Sequence, residues 1–323
     1  MIENKKPSVL GLKRSFGFGD RLGLATPGHM AAVAGTPYLP IFAQQSIREL
    51  HRTTRQPEEV MKAAVMAVEK GNWTKPWGAD ADHLQNREDV LRMAQAGFTF
   101  FTIDPSAHVN NNADSMPEET LSDTYQQLVT DNKLTDSDLV NHYMGQSFEM
   151  GNGFTISFDN LNQLLRAIVK YGAALVHTKA MYQWITEACG PNQFEVEMSV
   201  DETETPTSPP EHLFVGLELK RMGVKVVSLA PRFVGDFEKG IDYKGAIFEF
   251  EEQYRQHIAI AKYCGPYKLS IHSGSDKFSI YPIIGRLSGE LLHVKTAGTS
   301  YLEALRVICR TDKKLFREII EFC

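Results

Sequence analysis

Carboxylate and imidazole side chains recur in the sequence where short strand-like segments end. Asp82 and His83 close the segment that begins at Trp77, and Asp104 directly follows the run Phe98–Ile103. Carboxylates act as general acids and bases. Together with imidazole nitrogens they also bind divalent metals such as zinc, manganese, cobalt or nickel. The pattern therefore indicates acid–base or metal chemistry at the ends of neighbouring strands.

The segments that position these residues form a strand, a helix and a second strand. Residues 86–95 carry apolar side chains at helical spacing, and Gly97 follows the predicted helix end. Phe98–Ile103 is short, apolar, β-branched and aromatic, as expected of a buried parallel strand. Ligand sites in α/β folds lie at the carboxyl ends of such strands.

The same alternation continues along the chain. Eight strands are predicted, at residues 15–20, 37–45, 77–83, 98–103, 194–202, 224–230, 267–272 and 291–296, with helices between them. This pattern predicts an α/β fold, a (β/α)8 TIM barrel forming one domain over residues 1–323. An open doubly wound sheet is the rival. It is disfavoured because GFGDRLG at residues 17–23 lacks the GxGxxG spacing.

Residues 109–155 interrupt the alternation. This polar stretch predicts two short helices and is interpreted as an insertion after the fourth strand, where a lid over a barrel mouth would be built. A decorated loop is the alternative. Residues 159–189 predict a long helix interrupted at Gly172, and residues 301–322 predict a closing helix.

Composition limits the classes of partner and compartment. The chain has 323 residues, 42% hydrophobic and 23% charged, with a net charge of −6, which disfavours nucleic acid and anionic membranes as partners. Its four cysteines lack metal spacing and are interpreted as reduced thiols. The N-terminus has no apolar signal core, and no run of 18 apolar residues occurs. A cytoplasmic protein acting on a small molecule is expected, and a homo-oligomer is compatible with these features.

In a barrel, the polar residues at strand ends would surround one mouth. They are Asp20, Gln44, Asp82, His83, Asp104, Asp201, Glu202, His272 and Lys295. An aspartate at a strand end can instead cap the following helix. Histidine is not a preferred cap, so His83 and His272 are the stronger candidates for a metal site.

Two of these segments resemble class II fructose-bisphosphate aldolases. DADHLQNREDVLRMAQAGFTFFTIDPSAH and IHSGSDK are similar to motifs of that family. The resemblance implies that Asp82 is the catalytic acid/base and that His83 and His272 bind the metal. The family's further histidine ligand has no counterpart in VVSLAPRF of the sixth strand, where Glu202 from the fifth strand could replace it. The glycine-rich phosphate loop is also missing, which argues against a phosphorylated substrate.

A second resemblance covers nearly the whole chain. GADADHL, SVDETETPT, SIHSGSDKFSIYPI and HVKTAGTSYLEALR resemble the tagaturonate epimerase family. Its members interconvert tagaturonate and fructuronate, and some act on tagatose and fructose. The resemblance implies an isomerase of hexuronate metabolism, a divalent-metal-dependent 4-epimerase.

The chemistry of C4 inversion agrees with such a scaffold. The C2 ketone acidifies the hydrogen on C3 but not the one on C4, so simple enolisation cannot invert C4. Retro-aldol cleavage of the C3–C4 bond can, if a base removes the C4 hydroxyl proton and a metal acts as the Lewis acid. Transient oxidation by NAD is the rival route, and no nucleotide fingerprint supports it. A class II-type sugar aldolase and a catalytically silent sugar-acid-binding barrel remain alternatives.

The residues divide into three predicted roles. Asp82, Asp104 and Asp201 are the predicted catalytic acids and bases, and His83, Glu202 and His272 the predicted ligands of one divalent cation. Asp201 and Glu202 would exchange directions with a one-residue shift of register. The predicted substrate-binding residues, placed around the acidic end of the sugar, are Arg232, Ser273, Ser275, Asp276, Lys277 and Lys295. Lys295 ends an apolar strand and needs a partner, for which Asp276 and Asp104 are candidates.

Overall fold

Short apolar strands form the centre of the molecule. The computed structural model describes residues 6–151 and 153–323. Its strands are β1 (Ser15–Gly19), β2 (Leu39–Ser46), β3 (Gly78–Leu84), β4 (Phe100–Ile103), β5 (Ser147–Glu149), β6 (Thr155–Ser157), β7 (Glu195–Ser199), β8 (Ser228–Ala230), β9 (Lys268–Ile271) and β10 (Leu292–Lys295). All except β5 and β6 pair in parallel, in the closed order β1-β10-β9-β8-β7-β4-β3-β2. The predicted (β/α)8 barrel is therefore confirmed.

Helices accompany these strands, and most of them cover the outside of the barrel. They are α1 (Thr26–Val33), α2 (Ile47–Thr53), α3 (Pro57–Lys70), α4 (Arg87–Gln95), α5 (Glu118–Thr130), α6 (Leu139–Tyr143), α7 (Leu161–Cys189), α8 (Pro209–Arg221), α9 (Ile247–Cys264), α10 (Tyr281–Ser288), α11 (Tyr301–Thr311) and α12 (Lys313–Phe322). Local sequence sets several of their starts. In α8, Pro209 occupies the first turn and Ser208 forms a capping box with Glu211.

The hydrophobic core lies between the strands and this layer of helices. Outward-facing side chains such as Phe42 and Phe101 are buried together with Trp77. On the opposite side of the barrel, Met198 and Leu229 pack in a second cluster with α8 and α9. Each fully buried side chain of this size contributes about 1.5–3 kcal/mol. The core thus fixes the strands and, through them, the positions of the strand ends.

Two helices differ from the sequence prediction. Helix α7 runs without interruption through Gly172. A Cβ at this position would lie only 2.4 Å from Leu134 Cδ2, so the glycine permits close packing of the insertion against the helix. The predicted closing helix is divided at Asp312. The Asp312 side chain accepts hydrogen bonds from the N–H groups of Lys314 and Leu315 and so begins α12.

The insertion after β4 is more elaborate than the two helices predicted. It contains two 3-10 turns at residues 106–108 and 111–115, helices α5 and α6, and the antiparallel hairpin β5–β6. It packs on α7 through buried residues of α5 and α6, and Tyr143 donates a 2.5 Å hydrogen bond to Glu218 of α8. A role as a lid stays a prediction.

The surface near β1 and β10 contains a groove. An apolar groove of about 370 Å³ lies there between α1 and α10, lined by Phe16, Phe18 and Val294 among others. Helices α11 and α12 have no buried residues. In the part of the chain that the structure describes, no helix has the length and apolar character to cross a bilayer. Residues 1–5 of the segment searched for a signal sequence lie outside the described residues.

Candidate active site at the barrel mouth

Two imidazole rings meet at the carboxyl ends of β3 and β9. The centroids of the His83 and His272 rings are 5.3 Å apart. His83 has a φ of 53°, and the pairing of β3 with β4 shifts register between Ala81 and Leu84. Such an irregularity re-aims a side chain next to a functional site. Here it brings the His83 ring close to that of His272.

A carboxylate from the loop that follows β7 completes this group. Asp201 Oδ1 lies 3.1 Å from His272 Nδ1, and potential ligand atoms of His83, Asp201 and His272 all lie within 4.8 Å of one another. Glu202 belongs instead to a second such group with His83 and Asp104. Its side chain is 43% exposed and lies 3.3 Å from Arg48. The geometry thus puts Asp201, rather than the predicted Glu202, with both rings. We refer to His83, Asp201 and His272 as the central triad.

Each ring has a second carboxylate partner. His272 Nε2 is 2.7 Å from Glu197 Oε1, and His83 Nδ1 is 3.4 Å from Asp104 Oδ2. Gln85 in turn donates a 2.9 Å hydrogen bond to Asp104. Carboxylates placed in this way fix the orientation of metal-binding imidazoles and leave the other ring nitrogen for the metal. Asp104, predicted as a catalytic acid, thus contacts the ring of His83.

Lys295 lies inside the barrel beneath the central triad. Its ammonium is 2.6 Å from Asp82, 2.7 Å from Asp80 and 3.2 Å from Glu197. It also donates a 2.6 Å hydrogen bond to Thr102. The partners predicted from the sequence, Asp276 and Asp104, are therefore wrong. Because an ammonium has three protons, these contacts leave none for a substrate carboxylate.

Burial and neighbouring charges have opposite effects on the pKa values of the groups in this cluster. Burial alone would raise the pKa of Asp82, but the charges of Lys295, His83 and His272 outweigh it and lower that pKa. Burial would lower the pKa values of the two histidines. The neighbouring carboxylates instead raise them, to about 9 for His83 and about 10 for His272. Burial raises the pKa of Asp80 to about 7 despite the nearby lysine.

These groups fit a divalent cation. Asp80, Asp82 and Glu197 surround the buried ammonium of Lys295, and Asp201 pairs with His272. Together these carboxylates raise the pKa values of both imidazoles and hold the rings in their protonated form. Two imidazole nitrogens and a carboxylate oxygen are donors that suit zinc, manganese, cobalt and nickel. A cation bound by the central triad would replace the charge of those protons.

The predicted substrate-binding residues are only partly brought together. Arg232 and Ser273 line a cavity of about 190 Å³ that also reaches Asp201 and His272. Arg232 Nη1 donates a 3.3 Å hydrogen bond to the Asp201 carbonyl. Phe233 and Phe237 form the apolar part of this cavity.

The residues that follow Ser273 are arranged differently. Lys277 is fully buried, and its ammonium donates to the carbonyls of Glu238, Ile241 and Ser275 at 2.6–3.0 Å. It holds two loops together and has no proton left for a substrate, which corrects its predicted role. Asp276 is exposed, with a φ of 63°. The Ser275 hydroxyl is buried and has no hydrogen-bond partner among the described residues.

Sequence reasoning missed Glu197. This fully buried residue lies 2.7 Å from His272 and 3.2 Å from Lys295, and it pairs in register with Ser228 of β8. The sequence feature that could have identified it is a glutamate within the strand segment FEVEMS. A charge in a strand that is otherwise buried costs free energy unless it is paired.

A closed parallel barrel whose mouth gathers imidazoles, carboxylates and a lysine defines a (β/α)8 protein with a candidate divalent-metal site. The crystal structure of the YdjI aldolase from Escherichia coli K12 has the same fold. It matches with a TM-score of 0.50 at 12% identity, over 94% of this chain and 82% of that one. At that identity the match shows the fold alone.

The chain belongs to the tagaturonate epimerase family UxaE, which matches residues 1–323. It is 45% identical, over 314 residues, to the tagaturonate/fructuronate epimerase of Thermotoga maritima. That alignment covers 97% of this chain and 63% of the relative. The native crystal structure of fructuronate-tagaturonate epimerase UxaE from Cohnella laeviribosi matches with a TM-score of 0.92 at 40% identity. It covers 99% of this chain and 64% of that one. The resemblance identified from the motifs is thereby confirmed.

Proposed function

We propose that the barrel mouth catalyses the divalent-metal-dependent epimerisation of a ketohexuronate at C4, interconverting tagaturonate and fructuronate. The observation that carries this proposal is the meeting of His83, Asp201 and His272 beside Asp82. The named activities of the relatives support it, and the chain spans 63% of the length of the Thermotoga maritima enzyme. The neutral ketoses tagatose and fructose are further candidate substrates.

In this proposal the central triad holds the cation. Asp104 and Glu197 orient the two rings through contacts of 3.4 and 2.7 Å. Glu202, on the rim beside Arg48, is left as an outer ligand or a contact for substrate hydroxyls. The bound cation would supply a Lewis acid for the oxygens of the ketose.

Asp82 is the proposed base. Its pKa is lowered despite burial, chiefly by Lys295, so the carboxylate is ionised and able to accept the proton of the C4 hydroxyl. Loss of that proton lets the C3–C4 bond break into an enediolate and an aldehyde. Rotation of the aldehyde and re-formation of the bond on its other face invert C4. Asp82 then returns the proton to the new C4 oxygen.

The acidic end of the substrate is assigned to the cavity beside the central triad. Arg232 offers a guanidinium and Ser273 a hydroxyl there, whereas Lys277 and Lys295 are occupied by other partners. Guanidinium groups bind carboxylates well because their donors form a planar fork. Arg232 therefore becomes the main determinant of preference for a uronate over a neutral ketose.

Metal removal tests the proposal. The protein is treated with a chelator, then assayed on a panel of sugar acids and ketoses before and after addition of Zn²⁺, Mn²⁺, Co²⁺ or Ni²⁺. We expect tagaturonate turnover to disappear on chelation and to return with one of these cations. Turnover that persists without metal would contradict the proposal. Accumulation of two shorter products would favour the alternative, a class II-type sugar aldolase.

A further inference from the structure

The loop that follows β7 is held from outside the barrel by two consecutive residues of α7. Lys170 and Tyr171 are both fully buried. The loop, residues 200–208, begins beside the β7 strand end and carries Asp201 of the central triad. Neither α7 side chain shares a hydrogen bond with a residue of that triad, so any influence on it passes through the loop.

Tyr171 acts on the loop through one hydroxyl group. Its phenol oxygen lies 3.1 Å from Thr207 Oγ1. That same threonine oxygen accepts a 3.1 Å hydrogen bond from the Arg232 N–H, and the Thr207 N–H donates to the Arg232 carbonyl at 2.8 Å. This series of hydrogen bonds from Tyr171 through Thr207 therefore joins the loop that carries Asp201 to the loop that carries Arg232.

Lys170 holds the same loop through charge. Its ammonium donates to the Pro206 carbonyl at 3.3 Å and pairs with Asp114 at 2.8 Å and Glu211 at 3.1 Å. Asp114 belongs to the insertion and also accepts a 2.5 Å hydrogen bond from Thr205. The insertion, α7, α8 and the loop thus share one ionic network centred on the buried ammonium of Lys170.

We propose that Tyr171 and Lys170 are positioning residues that set the location of Asp201 and Arg232, and hence the geometry of the cation and carboxylate subsites. This rests on the proposed function for what those subsites bind. The reason is geometric. A metal ligand must be held close to its productive position, and the loop contains three threonines and a proline but no strand pairing of its own.

Two matched pairs of variants test this proposal. Tyr171→Phe removes only the hydroxyl, and Tyr254→Phe is its control, because Tyr254 is equally buried and shares a 2.6 Å hydroxyl hydrogen bond with Ser288 between α9 and α10. Thr207→Val removes the hydroxyl that joins the two loops, whereas Thr207→Ser retains it. Lys170→Met leaves two carboxylates unpaired and can unfold the chain. The test therefore rests on Tyr171→Phe and Thr207→Val, which remove only hydroxyl groups.

Two measurements are made on each variant, namely Zn²⁺ affinity by chelator competition and amide hydrogen exchange of residues 200–208. For Tyr171→Phe and Thr207→Val we expect faster exchange of the loop and about tenfold or greater loss of Zn²⁺ affinity. Tyr254→Phe and Thr207→Ser should change neither. Equal effects of Tyr171→Phe and Tyr254→Phe, or unchanged Zn²⁺ affinity in Tyr171→Phe, would overturn the proposal. If the unmodified protein binds none of Zn²⁺, Mn²⁺, Co²⁺ and Ni²⁺, the proposed function fails. Unchanged loop exchange in Tyr171→Phe would separately overturn the positioning role.

Discussion

Asp82 is the residue on which the proposed reaction depends most. It lies 2.6 Å from the buried ammonium of Lys295 and 3.8 Å from His83 Nε2. Asp82 is therefore close to the central triad on one side and to the positive charge of Lys295 on the other. This arrangement keeps the carboxylate ionised without making it one of the three residues grouped around the cation position.

Asp82→Asn should abolish the base and keep the cation site. Because an amide cannot accept the C4 hydroxyl proton, we expect turnover of tagaturonate to fall about a hundredfold or more. Zn²⁺ content, measured by elemental analysis, should stay unchanged. Asp123→Asn, at an exposed position of α5, is the control and should retain full turnover. Near-normal turnover in Asp82→Asn would refute the assignment.

Cation binding should depend on pH through the two histidines. The neighbouring carboxylates raise the pKa values of His83 and His272 to about 9 and about 10, so each ring must lose a proton before it can bind a metal. The affinity for Zn²⁺ should therefore increase as the pH rises from neutrality to about 9. Competition titrations against a chelator of known pH dependence would measure it. A constant affinity over this range would show that these rings are not ligands.

At the scale of elements, the interface between α8 and α9 contains a buried polar network. His212 Nδ1 is 2.9 Å from His257 Nδ1, and its Nε2 is 2.8 Å from the Tyr267 hydroxyl. Burial lowers the pKa of His257 to about 3. The folded chain therefore keeps these rings neutral, since protonation would place a positive charge in a fully buried interface.

This network predicts loss of stability in mild acid. The unfolded His257 titrates near pH 6.5 and the folded one near 3, so between these values the unfolded state binds more protons. The free energy of unfolding should therefore decrease as the pH falls below about 6.5, by up to about 1.4 kcal/mol per pH unit for each such histidine. Urea unfolding of the unmodified protein and of His257→Gln would separate this contribution. An equally steep decrease in His257→Gln would assign the acid sensitivity to other groups.

The eight barrel strands and most helices followed from the sequence, because alternation of apolar runs with amphipathic segments depends on local spacing. The contacts between side chains inside the barrel could not be predicted in this way. The sequence predicts Asp276 or Asp104 as the partner of Lys295, but the closed strand order places its ammonium among Asp80, Asp82 and Glu197. Which side chains share a layer inside a barrel depends on the strand register, which a single sequence does not specify.

Irregular backbone is a second reason why the geometry of the site could not be predicted from the sequence. Strand β3 shifts register after Ala81, and His83 takes a positive φ, so the direction of its ring could not be read from strand alternation. Lys277 likewise resembled a substrate-binding lysine, yet it turns away to bind three carbonyls of neighbouring loops. The residue types at the strand ends could be predicted from the sequence. The directions of their side chains depend on the conformations of the loops, which could not.

At the scale of the whole molecule, the barrel gathers residues from six strands or their carboxyl ends. Asp82, Asp104, Glu197, Arg232, His272 and Lys295 come from different parts of the sequence and are brought to one mouth by the closed order of the strands. The 0.92 TM-score to the Cohnella laeviribosi enzyme shows that this framework is shared within the family. The reaction proposed for this mouth is inversion of C4 by breaking and re-forming the C3–C4 bond.

The fate of the hydrogen on C4 distinguishes this route from one that breaks the C4–H bond. Tagaturonate labelled with deuterium at C4 would be converted in ordinary water with the Zn²⁺-loaded protein, and the product and the rate examined by NMR. In a retro-aldol route this hydrogen stays on the carbon that becomes the aldehyde. We therefore expect fructuronate to keep the full label at C4, with no primary isotope effect on turnover. Loss of deuterium from C4, or a primary isotope effect, would show that the C4–H bond itself breaks and would contradict the account.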